Sequence, residues 1–297
     1  MPAWILATFV AATAQAARML LLKKLSAGGL SAGATTFARF VWAPPILLAG
    51  LALAVAVMPD LSVPPIPATF WPWAVAGGVA QIVATACVVL LFAQRVFAVG
   101  IAFSKTTVLM TLLAGWLVQG ETVSAGAVVA IVVGFVGVVL ISVRPDGALG
   151  LSGRATALGL GSGAAFAVSA VGYRAATLAL DAPPLMRAAV TLVLVTMVQT
   201  AILGAWLAWR DRAGLAAVVT GWRRSVPVAV LSLIGSLGWF TAFTLQNAGL
   251  VNAVGQVELI LSIAISVLVL GERIAARELA GIVLLGGSVA AVVLIGR

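Results

Sequence analysis

Long uncharged apolar runs are the feature that most restricts how this chain folds. Of its 297 residues, 63% are hydrophobic and only 8% are charged, whereas a soluble domain carries roughly a quarter charged residues. A chain with so little polar surface is solvated by lipid. Because hydrocarbon offers backbone groups no hydrogen-bond partner, only helices and closed barrels cross a bilayer. The continuous runs fit spanning helices of about 20 residues and not the ten-residue alternation of a membrane barrel.

The apolar runs divide into ten segments with short connections. The predicted spans cover residues 3–22, 32–57, 72–94, 97–118, 123–143, 155–175, 184–208, 226–246, 249–270 and 279–296. The first run has no basic region before it and no small-residue cleavage site after it, so we expect a retained span and not a signal peptide. The expected fold class is an all-α polytopic membrane protein with ten transmembrane helices.

The two halves of the chain repeat a short pattern. Gly120-Glu121 and Gly271-Glu272 each end an apolar run and each precede a glycine-rich apolar helix. The shift of 151 residues that superposes them also places Ser104, Thr107, Thr111 and Gly115 on Gly255, Glu258, Ser262 and Ser266. Five spans per half is an odd number, so the halves, residues 1–148 and 149–297, enter the membrane with opposite polarity. Inverted repeats of this kind surround the central cavity of many secondary transporters; the alternative is chance similarity between apolar sequences.

These features resemble the drug/metabolite transporter superfamily, in its ten-span EamA-type branch. The likeness extends over essentially the whole chain. It is carried by the two Gly-Glu turns, by the glycine pairs Gly134/Gly137 and Gly286/Gly287, by Arg39 and Arg187 near the start of the second span of each half, and by the run GLGSGAAFAVSAVGYR at 159–174. The resemblance, strongest to YddG-like amino-acid exporters, implies a secondary transporter that exports aromatic and other neutral amino acids by alternating access. Nucleobases, sugars and drug-like compounds are the alternative solutes.

Two charged residues, Lys105 and Glu258, lie well inside predicted spans four and nine. A charge near the middle of a membrane costs about 3 kcal/mol or more, so it faces a cavity or a partner. One interpretation is that they contact a zwitterionic solute, or that Glu258 exchanges a proton. The other is a Lys105–Glu258 ion pair that holds the two repeat-related helices together. Arg18, Arg39 and Arg187 lie near span ends, and we expect their side chains to extend to the interface.

Aromatic and amide side chains supply the remaining candidates. Gln81 and Thr85 share a face of the third span, and Trp239, Phe243 and Gln246 share a face of the eighth. A cavity lined by rings and amides would accept an apolar or aromatic solute, although ordinary helix packing is the slightly better explanation for any single residue. The candidate substrate-binding residues are Lys105, Glu258, Trp239, Phe243, Gln246, Gln81, Thr85, Trp42 and Gln256.

Proline and glutamate positions give two structural expectations. Pro44 and Pro45 are expected to kink the second span and to act as a hinge. Glu121 and Glu272 are expected to be turn and capping residues ahead of the helices that follow them.

Catalytic and cofactor chemistry is not indicated. Histidine is absent and Cys87 is the single cysteine, so we expect no metal site, no catalytic residues and no cofactor. No phosphate-binding loop and no nucleophile motif is present, so an intramembrane enzyme is disfavoured; a channel or receptor is the other alternative. The expected partners are a small-molecule solute and the lipid bilayer, with protons as a candidate coupling ion, no nucleic acid, and a monomer as a plausible assembly.

The basic residues indicate an orientation in a bacterial inner membrane. Eleven lie in the loops after odd-numbered spans and three on the opposite side, so the net charge of +9 reflects membrane topology. Because basic loops stay in the cytoplasm, this distribution places both termini outside. The family resemblance favours cytoplasmic termini instead.

Overall fold

The structure is a computed structural model that describes residues 1–58, 62–91, 105–142, 153–261 and 276–295, together with Ala264. Within these ranges every regular element is helical. The helices are α1 (Ala3–Ala27), α2 (Ala32–Phe37), α3 (Ala43–Val57), α4 (Phe70–Leu91), α5 (Thr107–Gln119), α6 (Ala125–Ser142), α7 (Gly153–Leu178), α8 (Pro184–Arg210), α9 (Arg212–Thr220), α10 (Trp222–Leu245), α11 (Ala248–Gly255) and α12 (Ala276–Ile295). Residues 257–261 form a further short helical segment.

Within the described residues, ten apolar helical stretches overlap the ten predicted segments. Helices α1, α4, α7, α8 and α10 are long and apolar enough to cross a bilayer. Shorter apolar stretches cover Ala43–Val57, Thr107–Gln119, Ala125–Leu140, Ala248–Leu261 and Leu279–Ile295. Large apolar side chains such as Leu53, Leu117 and Val283 point outward and stay exposed. An outer surface of this kind belongs in lipid, so the chain is a polytopic membrane protein.

Three helix pairs form the most extensive contacts: α1 with α10, α4 with α7, and α6 with α12. Glycine brings each pair together. A methyl group on Gly238 of α10 would lie 2.7 Å from the Ala7 carbonyl oxygen, and one on Gly172 of α7 would lie 3.0 Å from the Trp73 carbonyl oxygen. At Gly137 of α6 it would lie 2.7 Å from the Gly281 backbone oxygen. Without side chains at these points the backbones pack directly against each other.

The second predicted span is not one helix. It consists of α2, a turn at residues 38–42, and α3. Pro44 and Pro45 lie in the first turn of α3, so the expectation that they kink a continuous second span is wrong, and their role as a hinge stays a prediction. Proline lacks a backbone N–H, and the first helical turn is the place where that N–H would have no intrahelical partner.

Within the described residues, one other predicted segment, span nine, is interrupted near a charged residue. In span nine, α11 ends at Gly255 and a turn at Gln256 precedes residues 257–261. In span four, Lys105 lies in the turn just before α5, and residues 97–104 lie outside the described residues. The connection between the predicted spans 184–208 and 226–246 is not a simple loop, because it contains α9 and the first turn of α10.

A buried polar site between the helices

Glu258 is the centre of a polar cluster inside the helix bundle. It lies two residues after the turn at Gln256 and is 8% exposed. Its carboxylate accepts hydrogen bonds from the Lys105 ammonium and from the Gln15 side-chain amide. Lys105 and Glu258 therefore form an ion pair, which is the second of the two interpretations of these charges given above. The second hydrogen bond matters because a buried pair is stable only when its remaining oxygen is also satisfied.

Gln15 of α1 connects this carboxylate to two further side chains. Its amide oxygen accepts from Trp239 Nε1 and from Arg18 Nη2, each at 3.3 Å. Trp239 stacks on Phe243 with ring centroids 5.8 Å apart. The Trp239 ring also covers Gly255, where an added methyl group would lie 2.2 Å from it. Gln15 was not among the predicted site residues, although an amide inside the first apolar run was a visible signal.

A second buried polar group surrounds α4. Gln81 Oε1 accepts from the Tyr173 hydroxyl and from Gln199 Nε2, each at 2.9 Å. Thr85 Oγ1 instead accepts from Arg39 Nη1 at 2.6 Å. Gln81 and Thr85 share a helix face, as predicted, but they bind different partners. Tyr173 and Gln199 were not among the predicted site residues.

The expectation that Arg18 and Arg39 extend to the membrane interface is wrong. Arg18 is 0% exposed and Arg39 is 2% exposed. The interruption between α2 and α3 holds Arg39 inside the bundle, where its guanidinium also lies 5.2 Å from the Phe40 ring centroid. Arg187 is half-buried and donates from Nε to the Ala182 carbonyl at 2.5 Å.

Glu121 is an ion-pair partner and not a helix cap. Gly120, with φ +63°, closes α5, and Ser124 accepts from the Ala127 N–H at the start of α6. The Glu121 carboxylate instead pairs with Arg174 of α7. The expected capping role is therefore wrong, because three residues separate Glu121 from α6 while Arg174 is in direct contact. Glu272, in the corresponding turn, lies outside the described residues.

Arg174 also binds the end of α10. Its Nη1 donates to the carbonyl oxygens of Phe243 at 2.5 Å and Gln246 at 2.7 Å. Helix α10 ends at Leu245, and Gln246 is extended, with its side-chain oxygen accepting from Asn247 N at 2.8 Å. Gln246 therefore does not continue the helical face of Trp239 and Phe243, and that prediction is wrong.

Two candidates lie elsewhere or at the edge of the cluster. Trp42 donates to Ser225 Oγ at 2.9 Å, which places it with the start of α10 and apart from Glu258. Gln256 is buried and donates to the Asn252 carbonyl at 3.2 Å. With Lys105 and Ser288 it lines a crevice of about 10 Å³, which has room for roughly one water molecule.

The fold and this site define a helical membrane protein that holds charged side chains between its spans. Residues 154–294 match the EamA-like transporter family. This part of the chain is similar to that family, whose members are transporters of small molecules.

Comparison with whole proteins adds the fold. No curated protein matches the chain. A solved crystal structure of another protein superposes on this chain with a TM-score of 0.74 and 16% sequence identity. The superposition covers 98% of this chain and 97% of that chain. At this identity the likeness shows a shared fold over nearly the full length of both chains.

Proposed function

We propose that the chain is a secondary transporter that exports small metabolites across a bacterial inner membrane by alternating access around Glu258. The observation that carries the proposal is the buried cluster of Glu258, Lys105 and Gln15. Glu258 belongs to the second half of the chain, whereas Lys105 and Gln15 belong to the first. Buried charges that join two halves across interrupted helices are typical of transporter sites near the membrane midplane.

The packing of the helices supports two inverted repeats of five spans each, in residues 1–148 and 149–297. If the halves are exchanged, spans one and eight take the places of spans six and three. The α1–α10 contact then becomes the α7–α4 contact, and the α6–α12 contact becomes itself. These are the three most extensive contacts in the described chain, and this pairing supports a pseudo-two-fold relation between the halves. Five spans per half would place its axis in the membrane plane.

Neutral amino acids, including aromatic ones, are the proposed solutes. The Glu258 carboxylate suits an ammonium group, and the stacked rings of Trp239 and Phe243 suit an aromatic side chain. An ammonium group of the solute that binds Glu258, or a proton that neutralises it, would break the ion pair between Glu258 and Lys105. Because both have the same effect on the pair, protons are the proposed coupling ion. One chain supplies both halves of the site, which is why we propose a monomer as sufficient. On the distribution of basic residues, we propose that both termini face outward.

Counterflow in proteoliposomes tests the proposal. Vesicles containing the full chain are loaded with a mixture of neutral and aromatic amino acids, and uptake of each labelled amino acid is measured. We expect saturable exchange that falls at least about tenfold in Glu258→Gln and in Lys105→Met, since a hydrogen bond to a charged group is worth about 1.5–3 kcal/mol. Arg224→Gln is the matched control, because Arg224 is exposed.

Three outcomes would contradict parts of the proposal. A correctly folded wild type that moves none of the amino acids removes them as solutes and directs the screen to nucleobases, sugars and drug-like cations. Exchange by Glu258→Gln at the wild-type rate removes Glu258 from the site. Flux that does not saturate indicates a channel.

A further inference from the structure

Two arginines are buried in the bundle without a carboxylate partner among the described residues. Arg18 lies on α1 and Arg39 lies in the turn between α2 and α3, and their exposures are 0% and 2%. Both ion pairs found within the described residues use other cations, Lys105 and Arg174. A guanidinium keeps its charge in nearly every protein environment, so these residues place two positive charges in the interior.

Their hydrogen bonds are incomplete. Arg18 donates from Nη2 to Gln15 at 3.3 Å, and its Nε and Nη1 have no partner in the described part of the chain. Arg39 donates from Nη1 to Thr85 at 2.6 Å, and its Nε likewise has none there. Buried donors are otherwise almost always satisfied, and each unsatisfied one is unfavourable. The two residues therefore retain unused donors that an acceptor could engage.

The two charges lie in the same part of the bundle, because α1, which carries Arg18, contacts both α2 and α4, and Arg39 is hydrogen-bonded to Thr85 of α4. Like charges in a poorly solvated interior repel strongly, and an anion between them would remove both the repulsion and the unsatisfied donors. The guanidinium fork matches the planar geometry of a carboxylate, to which it can donate two parallel hydrogen bonds. Lys105 is not equivalent, since Glu258 already neutralises it.

We propose that Arg18 and Arg39 form the recognition site for the carboxylate of the solute, an inference that rests on the proposed transport function. Gln15 places this site next to Glu258, because its amide group donates to Glu258 and accepts from Arg18. A zwitterion would bind with its carboxylate at the arginines and its ammonium at Glu258. The site therefore selects solutes that carry a carboxylate, and discriminates against their amides.

Equilibrium binding to the purified full chain, in low-chloride buffer, tests this without requiring transport. The probes are phenylalanine, phenylalanine amide, 3-phenylpropanoate, acetate and chloride. We expect the wild type to bind phenylalanine at least about tenfold more tightly than its amide, the range that charge-assisted hydrogen bonds support. Arg18→Gln and Arg39→Gln should bind acid and amide alike, while Arg224→Gln should retain the wild-type preference. Glu258→Gln should weaken the binding of phenylalanine but not the binding of 3-phenylpropanoate, which has no ammonium group.

Arg18→Lys and Arg39→Lys provide the test if the glutamine variants do not fold. They keep the charge and lose the fork, so they should lose most of the preference for acid over amide. If both lysine variants keep the wild-type preference for phenylalanine over its amide, the proposal is overturned. Equal binding of acid and amide by the wild type, or no arginine-dependent binding of any carboxylate, would overturn it too. Arginine-dependent binding of chloride that no carboxylate displaces would show a resident inorganic anion instead.

The binding assay and the counterflow assay fail separately. Exchange of amino acids without discrimination between acid and amide would leave the transport proposal intact and reject the arginine site. Arginine-dependent carboxylate binding without any exchange would retain the site and reject transport.

Discussion

Arg174 is expected to be among the most sensitive positions outside the Glu258 cluster. Arg174→Gln removes the ion pair with Glu121 and the hydrogen bonds to the carbonyls of Phe243 and Gln246. The Glu121 side chain is only 12% exposed, so its carboxylate would remain largely buried without a cation. Removing one partner of a buried pair costs about 3–5 kcal/mol. Glu121→Gln should cost less, about 1–2 kcal/mol, because Arg174 keeps both carbonyl partners.

The double variant Glu121→Gln/Arg174→Gln makes this reasoning testable. It contains no buried unpaired carboxylate, so it should be more stable than Arg174→Gln alone. The free energy of unfolding of the four proteins, measured by denaturant titration in micelles, gives the coupling energy directly. Additive effects, within about 0.5 kcal/mol, would refute the argument. So would an Arg174→Gln variant that loses no more stability than Glu121→Gln.

Two further perturbations follow from the packing and from one exposed carboxylate. Gly137→Ala should reduce stability by about 1–3 kcal/mol, because its methyl group meets the α12 backbone. Gly286→Ala should be neutral or slightly stabilising, because its methyl group would have nothing within 4 Å. Thermal unfolding in micelles compares the two variants. Hydrogen bonds from the Ser31 hydroxyl and the Gly214 N–H lower the pKa of Asp211. Its contribution to the start of α9 is therefore present above about pH 4 and lost as pH falls through the lowered pKa. Amide exchange in α9 should accelerate over that acid range in the wild type and not in Asp211→Asn.

The sequence by itself determined the class of the protein and the position of its helices. The apolar runs require membrane helices because the aliphatic and aromatic residues that dominate them are unfavourable in water, a property that composition alone contains. Lys105 and Glu258 were recognisable for the same reason, since a charge in such a run needs a partner wherever the chain places it. The Gly120 turn was also predictable, because φ +63° is a conformation that glycine adopts at little cost.

Only the tertiary structure decided which polar groups meet. Gln15 binds Glu258 across 243 residues of sequence, and Arg174 reaches Glu121 and the end of α10. An apolar sequence states that a helix forms but not how it is rotated about its axis, since lipid-facing and protein-facing residues are equally apolar. The interruption that buries Arg39 was invisible for a related reason. The cost of breaking a helix is recovered only through contacts with other helices, such as the hydrogen bond from Arg39 to Thr85.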